Sequence, residues 1–193
     1  MLLRKIFRKI NSAILNSFLS AEEKNPNSFN IEKANNILII RQHNQFGDML
    51  ASVSLFKALK EKYPECKITL LASPENFYAV EKNNLINELF VFDKKKLFSL
   101  KYIKLLWKLL KKEYDLSIVP VTVAISNTSC ILCALSNSKN KIGPSSLNKK
   151  DNSLKQLFNY RIKLDWSKYI DAHVSDFILD IVRPINITTK DYT

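Results

Sequence analysis

Several common kinds of functional site are excluded by residues that the sequence has in short supply. The 193 residues contain two glycines, three cysteines and two histidines. Two widely separated glycines, Gly47 and Gly143, exclude the glycine-rich phosphate loops of the GxGxxG and Walker types. Three cysteines do not form a disulfide framework, which favours a reduced, cytoplasmic setting. No apolar run approaches the ~20 residues needed to cross a bilayer, and the N-terminus lacks the uninterrupted apolar segment of a secretory signal.

The few potential metal ligands are poorly placed for a metal site. Cys130 and Cys133 have CxxC spacing, but a zinc site needs a second pair of ligands, which only His43 and His173 could supply. The two cysteines fall inside an apolar run with helical spacing, so they are predicted to be buried core residues. Asp93 is followed by three lysines and not by a second acid. We therefore expect neither a metal nor a resident cofactor.

Positive charge is what the sequence has in excess. Thirty Lys and Arg residues against 18 Asp and Glu give a formal net charge of +12 and a pI near 9.6. Such a charge attracts nucleic acid, an anionic membrane surface or a phosphorylated substrate. Most aromatic residues fall in apolar periodic positions and offer no stacking platform, which disfavours nucleic acid. Hydrophobic residues make up 46% of the chain, enough for a folded core.

From residue 36 onward, short β-branched apolar runs alternate with stretches of helical spacing. Strands are predicted at 37–41, 67–72, 88–92, 116–119 and 139–142. Helices are predicted at 48–62, 74–82, 95–113, 126–136 and 169–183, the last with Val174, Phe177, Ile178, Ile181 and Val182 facing inward. This alternation predicts an α/β fold, a Rossmann-like parallel sheet flanked by helices. The polar stretch 145–165 is predicted to be a mobile loop.

The region before the predicted sheet has a different character. Residues 1–20 are predicted to form an extra amphipathic, basic helix, with apolar residues at three- and four-residue spacing: Leu3, Ile6, Phe7, Ile10, Ile14 and Phe18. Such a helix either lies on an anionic membrane or packs on its own domain. Residues 21–35 read as a polar linker, 36–186 as the Rossmann-like domain and 187–193 as a tail.

The predicted helix 95–113 carries a second group of cations next to apolar residues. Its lysines are Lys101, Lys104, Lys108, Lys111 and Lys112, and its apolar residues include Leu97, Leu100, Leu106, Trp107 and Leu109. The simpler interpretation is an amphipathic helix with a solvated basic face. The alternative is attraction to a phosphorylated lipid or to the inner leaflet of a membrane.

The most informative segment lies between the first predicted strand and the first predicted helix. Gly47 and Asp48 follow the strand 37–41 after a short polar loop. This is the carboxyl end of a parallel strand, where α/β proteins bind ligands. Glycine permits either a close backbone approach or a tight turn with positive φ. Asp48, at the entry to a helix, is a typical capping residue, and the helix dipole stabilises its carboxylate.

The order of these segments resembles the N-terminal domain of glycosyltransferase family 9, the ADP-heptose:lipopolysaccharide heptosyltransferases. That family opens with an apolar strand, a polar loop, Gly-Asp and a helix ending near an aromatic-Pro pair. The corresponding parts here are 37–40, 41–46, Gly47-Asp48, 49–62 and Tyr63-Pro64. Further on, 67–72, 83–92, Tyr114-Asp115-Leu116 and Lys141-Ile142-Gly143 are similar to later parts of the family pattern, so the resemblance covers 36 to about 186.

The resemblance implies the first half of a two-domain GT-B enzyme. In that family the N-terminal domain takes the sugar acceptor and a C-terminal domain binds the nucleotide sugar. The implied reaction is an inverting, metal-independent transfer of heptose, or a related sugar, from ADP-heptose to the lipopolysaccharide core. The implied partners are a lipid-linked sugar acceptor and a C-terminal donor-binding domain missing from these 193 residues, without which we expect no catalysis. The implied location is the cytoplasm, or the inner face of the inner membrane.

The same resemblance assigns roles to residues of the first turn. Asp48 is the expected general base for the acceptor hydroxyl, although it is equally suited to capping the helix. Gly47 is expected to let the turn approach the acceptor. From their place in the same loop, His43 and Asn44 either hydrogen-bond sugar hydroxyls or are simply exposed. Ala51 and Ser54 stand where many members have His and Pro. The alternatives to an enzyme are a non-catalytic basic module that binds anionic glycolipid or membrane, and an inactive remnant.

Overall fold

The sheet has the parallel arrangement that the sequence predicts. The computed structural model describes residues 14–42, 45–167 and 173–190. Within those ranges seven strands form one sheet: β1 (Asn36–Arg41), β2 (Lys67–Ala72), β3 (Glu88–Val91), β4 (Tyr114–Ile118), β5 (Ser138–Leu147), β6 (Lys150–Asp151) and β7 (Tyr160–Leu164). The order is β3-β2-β1-β4-β5, all parallel, and β5 also pairs with β7 in parallel and with β6 in antiparallel orientation.

Both faces of the sheet are covered by helices, because the central strands are apolar on both sides. In β1, Ile37 and Ile39 belong to one buried cluster, whereas Leu38 and Ile40 belong to another. We call these the first and the second cluster. The helices are α1 (Phe46–Ala51), α2 (Val53–Lys62), α3 (Leu100–Leu110), α4 (Asn127–Leu135) and α5 (Val174–Leu179). The first cluster is completed by α2 and α5, and the second by α3 and α4.

Four of the predicted helices are shorter or broken; of the helix predicted at 169–183, only Val174–Leu179 is α-helical among the described residues. The predicted helix 48–62 is two helices, α1 and α2, that meet at Ser52, whose hydroxyl donates to the carbonyl of Asp48 at 3.0 Å. The predicted helix 74–82 is a single 3-10 turn, Phe77–Ala79. The predicted helix 95–113 consists of a 3-10 turn, Lys94–Phe98, followed by α3. Ser99 separates them because its side chain caps α3 by accepting from Tyr102 N.

The prediction of a mobile loop at 145–165 is wrong. Strand β5 continues to Leu147 and turns into β6 through Asn148 and Lys149, both with positive φ (46° and 66°). Left-handed residues at both central positions are typical of a two-residue hairpin. Strand β7 then adds to the other side of β5. The region is rich in Lys and Asn, but it also contains apolar and aromatic side chains that are buried and hold it on the domain. These are Leu154, Leu157, Phe158, Tyr160, Ile162 and Leu164.

The described parts of the N- and C-terminal segments, 14–35 and 173–190, pack on the domain. Of the predicted N-terminal helix, residues 14–19 are helical and 1–13 lie outside the described residues. The segment predicted as a linker, 21–35, bonds to the β7 side of the domain, where Glu23 pairs with Arg161. Residues 168–172 of the last predicted helix and 191–193 of the tail are also outside the described residues. Val174 is exposed and does not face inward as predicted, whereas Ile178, Ile181 and Val182 are buried.

Candidate functional site

The candidate site lies where the strand order reverses. Strand β1 has β2 on one side and β4 on the other, so the loops that follow β1 and β4 diverge at the carboxyl edge of the sheet. Such a switch point is where ligands bind in open α/β sheets. Arg41 ends β1, Asp48 lies in the first turn of α1 and Thr122 lies in the loop after β4. The fold brings these three side chains together.

Arg41 is a buried cation at the end of an otherwise apolar strand. Its side chain is 2% exposed. Its Nη2 donates to Asp48 Oδ2 at 3.2 Å and to Thr122 Oγ1 at 2.6 Å, and its Nη1 donates to the carbonyl of Pro120 at 3.3 Å. Burial lowers the pKa of Arg41 to about 10, although Asp48 opposes the shift. The guanidinium therefore stays charged at neutral pH and supplies a fixed positive charge at the site.

Asp48 is held from two directions through one carboxylate oxygen. Oδ2 accepts from Arg41 and, at 2.5 Å, from the hydroxyl of Thr122. The side chain retains about one tenth of its exposure, so solvent or a ligand can reach it. The N-cap of α1 is Gln45 and Asp48 is the third helical residue, so the expectation that Asp48 is the N-cap is wrong. The short helix still places the carboxylate near its positive end.

Thr122 and Arg41 are site residues that the sequence argument missed. The hydroxyl of Thr122 links the other two side chains, because its oxygen accepts a hydrogen bond from Arg41 while its hydrogen is donated to Asp48. The three polar groups form a closed triangle at the edge of a hydrophobic core, where such bonds are stronger than in water. The sequence contained a signal for each residue. Arg41 is a charged residue at the end of an apolar strand, and Thr122 is a hydroxyl residue just after β4, the strand that lies beside β1 in a Rossmann-like order.

Gly47 lies at the surface of the turn, with open space above it. A Cβ built on Gly47 meets no atom within 4 Å, and its φ is not positive. The alternative role, a tight turn with positive φ, is therefore excluded, because Gly47 is the second residue of α1 and has helical geometry. The open space leaves room for a ligand to approach the helix start. His43 and Asn44, the other predicted binding residues, lie outside the described residues.

Three polar atoms without hydrogen-bond partners lie near the carboxyl ends of β1 and β2. Arg41 Nε, Gln42 Nε2 and Ser73 Oγ are buried and have no hydrogen-bond partner among the described residues. Gln42 and Ser73 line a cavity of about 180 Å³ together with Glu75, Lys94 and Lys95, among others. Buried donors without partners cost free energy unless a ligand or water satisfies them. They point to a polar ligand next to Asp48.

A second cavity opens on the other side of the same edge. Its volume is about 330 Å³ and its lining comes from the loop after β4 and from the β5–β6 hairpin, including Val123, Asn127, Lys150 and Asn152. In the strand order, Arg41, Asp48 and Thr122 lie between the two cavities. Apolar side chains are exposed near the centre of the same edge: Phe46, Leu50, Tyr78 and Val123. An extended ligand has both polar and apolar surface to contact here.

The cysteines are core residues, as predicted. Cys130 and Cys133 are buried in α4, where Cys133 Sγ contacts the Ser117 hydroxyl at 3.1 Å. Burial raises the pKa of the Cys130 thiol to about 12 and that of Cys133 to about 11, so neither is a ready thiolate ligand. Within the part of the chain that the structure describes, no group of three or more His, Cys, Asp or Glu side chains is placed to bind a metal ion.

The fold is similar to that of known sugar transferases. A glycosyl transferase of family 9 from Veillonella parvula matches with a TM-score of 0.60 and 17% identity over 82% of this chain and 43% of its own. The E. coli heptosyltransferase WaaC with ADP gives 0.58 and 14%, covering 82% of this chain and 49% of its own. The E. coli ADP-heptose lps heptosyltransferase II gives 0.52 and 17%, covering 78% and 39%.

These similarities confirm the Rossmann-like fold of a GT-B glycosyltransferase and the family resemblance at the level of structure. The chain spans about half, or less, of the length of the structures it matches. No protein-family profile and no curated protein matches the sequence. At 14–17% identity, the likeness establishes the fold and leaves the chemistry to be argued from the residues.

Proposed function

We propose that this chain is the acceptor-binding half of an inverting glycosyltransferase that transfers heptose, or a related sugar, from a nucleotide sugar to the lipopolysaccharide core. Asp48 is the general base. The observation that carries the proposal is the placement of the Asp48 carboxylate, held by Arg41 and Thr122, at the switch point of a heptosyltransferase-like sheet. By name, the V. parvula structure with this fold is a glycosyl transferase of family 9, and the E. coli structure is an ADP-heptose lps heptosyltransferase.

The reaction needs one proton acceptor and one leaving group. The acceptor hydroxyl oxygen forms a bond to the anomeric carbon of the sugar, while the bond from that carbon to the diphosphate breaks on the opposite face. The electron pair leaves with the nucleotide diphosphate, and the hydroxyl proton passes to Asp48. Arg41 and Thr122 fix the direction of the carboxylate, so that catalysis depends on geometry more than on strong basicity. No metal or other cofactor enters these steps, and ADP-heptose is the proposed donor substrate.

The neighbouring residues bind the acceptor in this proposal. Gly47 leaves open space at the helix start, and His43 and Asn44 follow β1 in the same loop. The unpartnered Gln42 Nε2 and Ser73 Oγ are suited to donate hydrogen bonds to sugar oxygens. A lipid-linked acceptor would place the chain at the inner face of the inner membrane. The donor sugar would bind a second, donor-binding domain, since the structures that match are about twice as long.

The test separates acceptor binding from transfer. An inner-core oligosaccharide is titrated calorimetrically into the 193-residue chain and into Asp48→Asn. Transfer from ADP-heptose is then measured with each chain combined with a donor-binding domain. We expect both chains to bind the oligosaccharide within about threefold of one another, and Asp48→Asn to lose about 10²–10⁴ of the transfer rate, the usual contribution of a general base.

Three results would contradict the proposal. Near-normal transfer by Asp48→Asn would show that Asp48 only stabilises the turn. Oligosaccharide binding by the original chain without any transfer would favour the non-catalytic module that binds anionic glycolipid. Absence of both would favour an inactive remnant.

A further inference from the structure

The solvent-facing side of α3 and the turn before it expose large apolar side chains. Phe98 is 97% exposed and Leu100 is 77% exposed. The other exposed apolar residues of this segment are Leu97, Ile103, Leu105 and Trp107. We call this group, together with the lysines between its members, the Phe98 surface. Exposed aromatic and aliphatic side chains that lie together on a folded domain mark an interaction site.

The exposure follows from the helical spacing. Leu106, Leu109 and Leu110 form the face of α3 that is buried in the second cluster. Leu100, Ile103 and Trp107, at i, i+3 and i+7, form a stripe beside that face and remain exposed. The helix therefore has more apolar surface than its own domain covers. A helix with a merely solvated outer face would carry polar residues at these positions.

Lysines adjoin the apolar stripe, with no acid between residues 94 and 112. The exposed lysines of the turn and the helix are Lys94, Lys95, Lys96, Lys101, Lys104, Lys108, Lys111 and Lys112. Lys111 Nζ lies 4.5 Å from the centre of the Trp107 ring, which keeps a cation beside the indole. Phe, Leu and Trp side chains next to long basic ones suit the boundary between acyl chains and headgroups, where apolar groups sink and cations stay at the anionic surface.

A second apolar exposure lies on the same face of the sheet. In the helical residues 14–19, Leu15 and Leu19 pack against the second cluster, to which α3 also belongs. Phe18 and Ile14 remain exposed, Phe18 at 83%. Both belong to the apolar face predicted for the N-terminal helix. Among the described residues, no helix has the length and apolarity to span a membrane.

From these observations we propose that the Phe98 surface docks the chain on an anionic lipid bilayer, with Phe98, Leu100 and Trp107 inserted to headgroup depth and the lysines at the lipid phosphates. Charge complementarity selects this partner, because exposed lysines beside the inserted apolar groups match a continuous anionic surface. Lys112 is the exception among them, since its Nζ pairs with Glu88 at 2.6 Å. The inference does not depend on sugar transfer. Failure of the membrane-binding test would not contradict the proposed role of Asp48 in sugar transfer, and the reverse also holds.

Flotation of the full chain with vesicles tests the charge component. We expect it to float at low ionic strength with phosphatidylcholine vesicles that contain about one third phosphatidylglycerol, and to remain unbound with phosphatidylcholine alone. The variant Lys104→Gln/Lys108→Gln should bind roughly 10- to 30-fold more weakly, the effect of two cations at an anionic surface. The control Lys62→Gln/Lys82→Gln removes the same charge from segments that pack on the first cluster and should bind like the original chain.

The apolar component is tested with a second pair of variants. Phe98→Ser/Leu100→Ser changes exposed residues and should leave the melting temperature unchanged while lowering partition about tenfold or more. Val174→Ser, an exposed position on the opposite face, is the control. In a Trp166→Phe variant Trp107 is the single tryptophan, and lipids brominated near the headgroup should quench its fluorescence.

Five results would overturn the inference. The first four are no flotation with anionic vesicles, equal binding to neutral vesicles, equal losses in the control variants, and an unquenched Trp107. Full binding by both α3 variants would also overturn it, since the contact would then lie in another segment of the chain.

Discussion

The hydroxyl of Thr122 donates a 2.5 Å hydrogen bond to Asp48 Oδ2 across 74 residues of sequence. The same hydroxyl oxygen accepts from Arg41 Nη2, so one threonine links a buried cation to a nearly buried anion. A carboxylate held in this way keeps its position without a ligand, which is the condition for a base that acts through geometry. The stability of this triangle and its effect on transfer are therefore measurable separately.

Removing the Thr122 hydroxyl should destabilise the protein while preserving its shape. Thr122→Val keeps the volume but leaves Arg41 and Asp48 each without one hydrogen bond, at a cost of about 1–3 kcal/mol in the free energy of unfolding. Thr122→Ser should retain most of the stability. Thr69→Val is a matched control, because this buried hydroxyl bonds to Glu88 at 3.3 Å and takes no part in a buried ion pair, so its loss should cost less. Urea titrations followed by circular dichroism measure all three, and equal losses for Thr122→Val and Thr69→Val would contradict the role of the triangle.

The Arg41–Asp48 pair should be strongly coupled. Arg41→Met removes the cation and leaves Asp48 almost buried without it, which should cost about 3–5 kcal/mol of unfolding free energy. Arg41→Met/Asp48→Asn removes the uncompensated charge and should recover part of the loss. A double-mutant cycle with Asp48→Asn gives the interaction energy directly. If the two single effects simply add, the 3.2 Å contact contributes nothing to stability.

The two glycines should respond oppositely to alanine. A Cβ on Gly143 would lie 2.3 Å from the ring of Phe158, so Gly143→Ala forces the packing apart and should cost about 1–3 kcal/mol or more. Gly47 is helical and open, so Gly47→Ala should stabilise the protein by roughly 0.5–1 kcal/mol.

Unfolding titrations of both alanine variants test the sign of each effect. Phe158→Leu should reduce the penalty of Gly143→Ala, because it removes the ring that the new methyl group meets. In the acceptor titration, weaker oligosaccharide binding by Gly47→Ala, despite higher stability, would support close approach at that residue. Equal penalties at both glycines would contradict the difference in packing.

The burial of the cysteines predicts slow thiol chemistry. All three are buried, and burial raises the pKa of Cys130 to about 12 and that of Cys133 to about 11. At about pH 8 in native conditions, a thiol reagent such as Ellman's should therefore modify them slowly. In guanidinium, three thiols per chain should react at once. Zinc added to the native protein should leave the rate unchanged, and rapid native labelling of Cys130 or Cys133 would contradict their burial.

The central strands could be predicted from the sequence because they are buried on both faces. Strand β1 is an unbroken apolar run, Ile37 to Ile40, and helices on both sides of the sheet explain why no polar residue alternates with these. Strand β7 carries a different signal, because its buried residues, Tyr160, Ile162 and Leu164, alternate with Arg161 and Lys163 as in a strand with one exposed face. The prediction of a loop here followed the polar composition of the stretch and missed this alternation.

The candidate site was predictable only where its residues are close in sequence. Asp48 follows the first strand by seven residues, so the strand-loop-helix pattern was enough to single it out. The contact of Arg41 with Thr122 spans 81 residues and depends on β1 lying beside β4. That adjacency is a property of the strand order, which a single sequence does not determine. The break at Ser52 is a different case, since its hydroxyl bonds to the Asp48 carbonyl only four residues away.

Asp115, at the opposite edge of the sheet, should make stability depend on pH. Its carboxylate accepts from the backbone N–H groups of Asn35 and Asn36, at 2.8 and 3.2 Å, and from Lys139 at 3.0 Å. Burial raises the pKa of Asp115, but the bonds from Lys139, Asn35 and Asn36 outweigh it and hold the pKa below its ordinary value. A depressed folded-state pKa contributes stability above the unfolded pKa near 4 and loses it as the pH falls through the lower, folded value.

Asp115→Asn should therefore be less stable than the original chain by about 1–3 kcal/mol at neutral pH, the range for hydrogen bonds to a charged group. The gap should close as the pH falls from about 5 towards the folded pKa, since the original chain also becomes neutral at this position. Asp151→Asn is the control, because its carboxylate is exposed and, among the described residues, pairs with Lys155 alone, a surface contact that contributes little. A gap that stays constant with pH would show that Asp115 acts through shape and not through its charge.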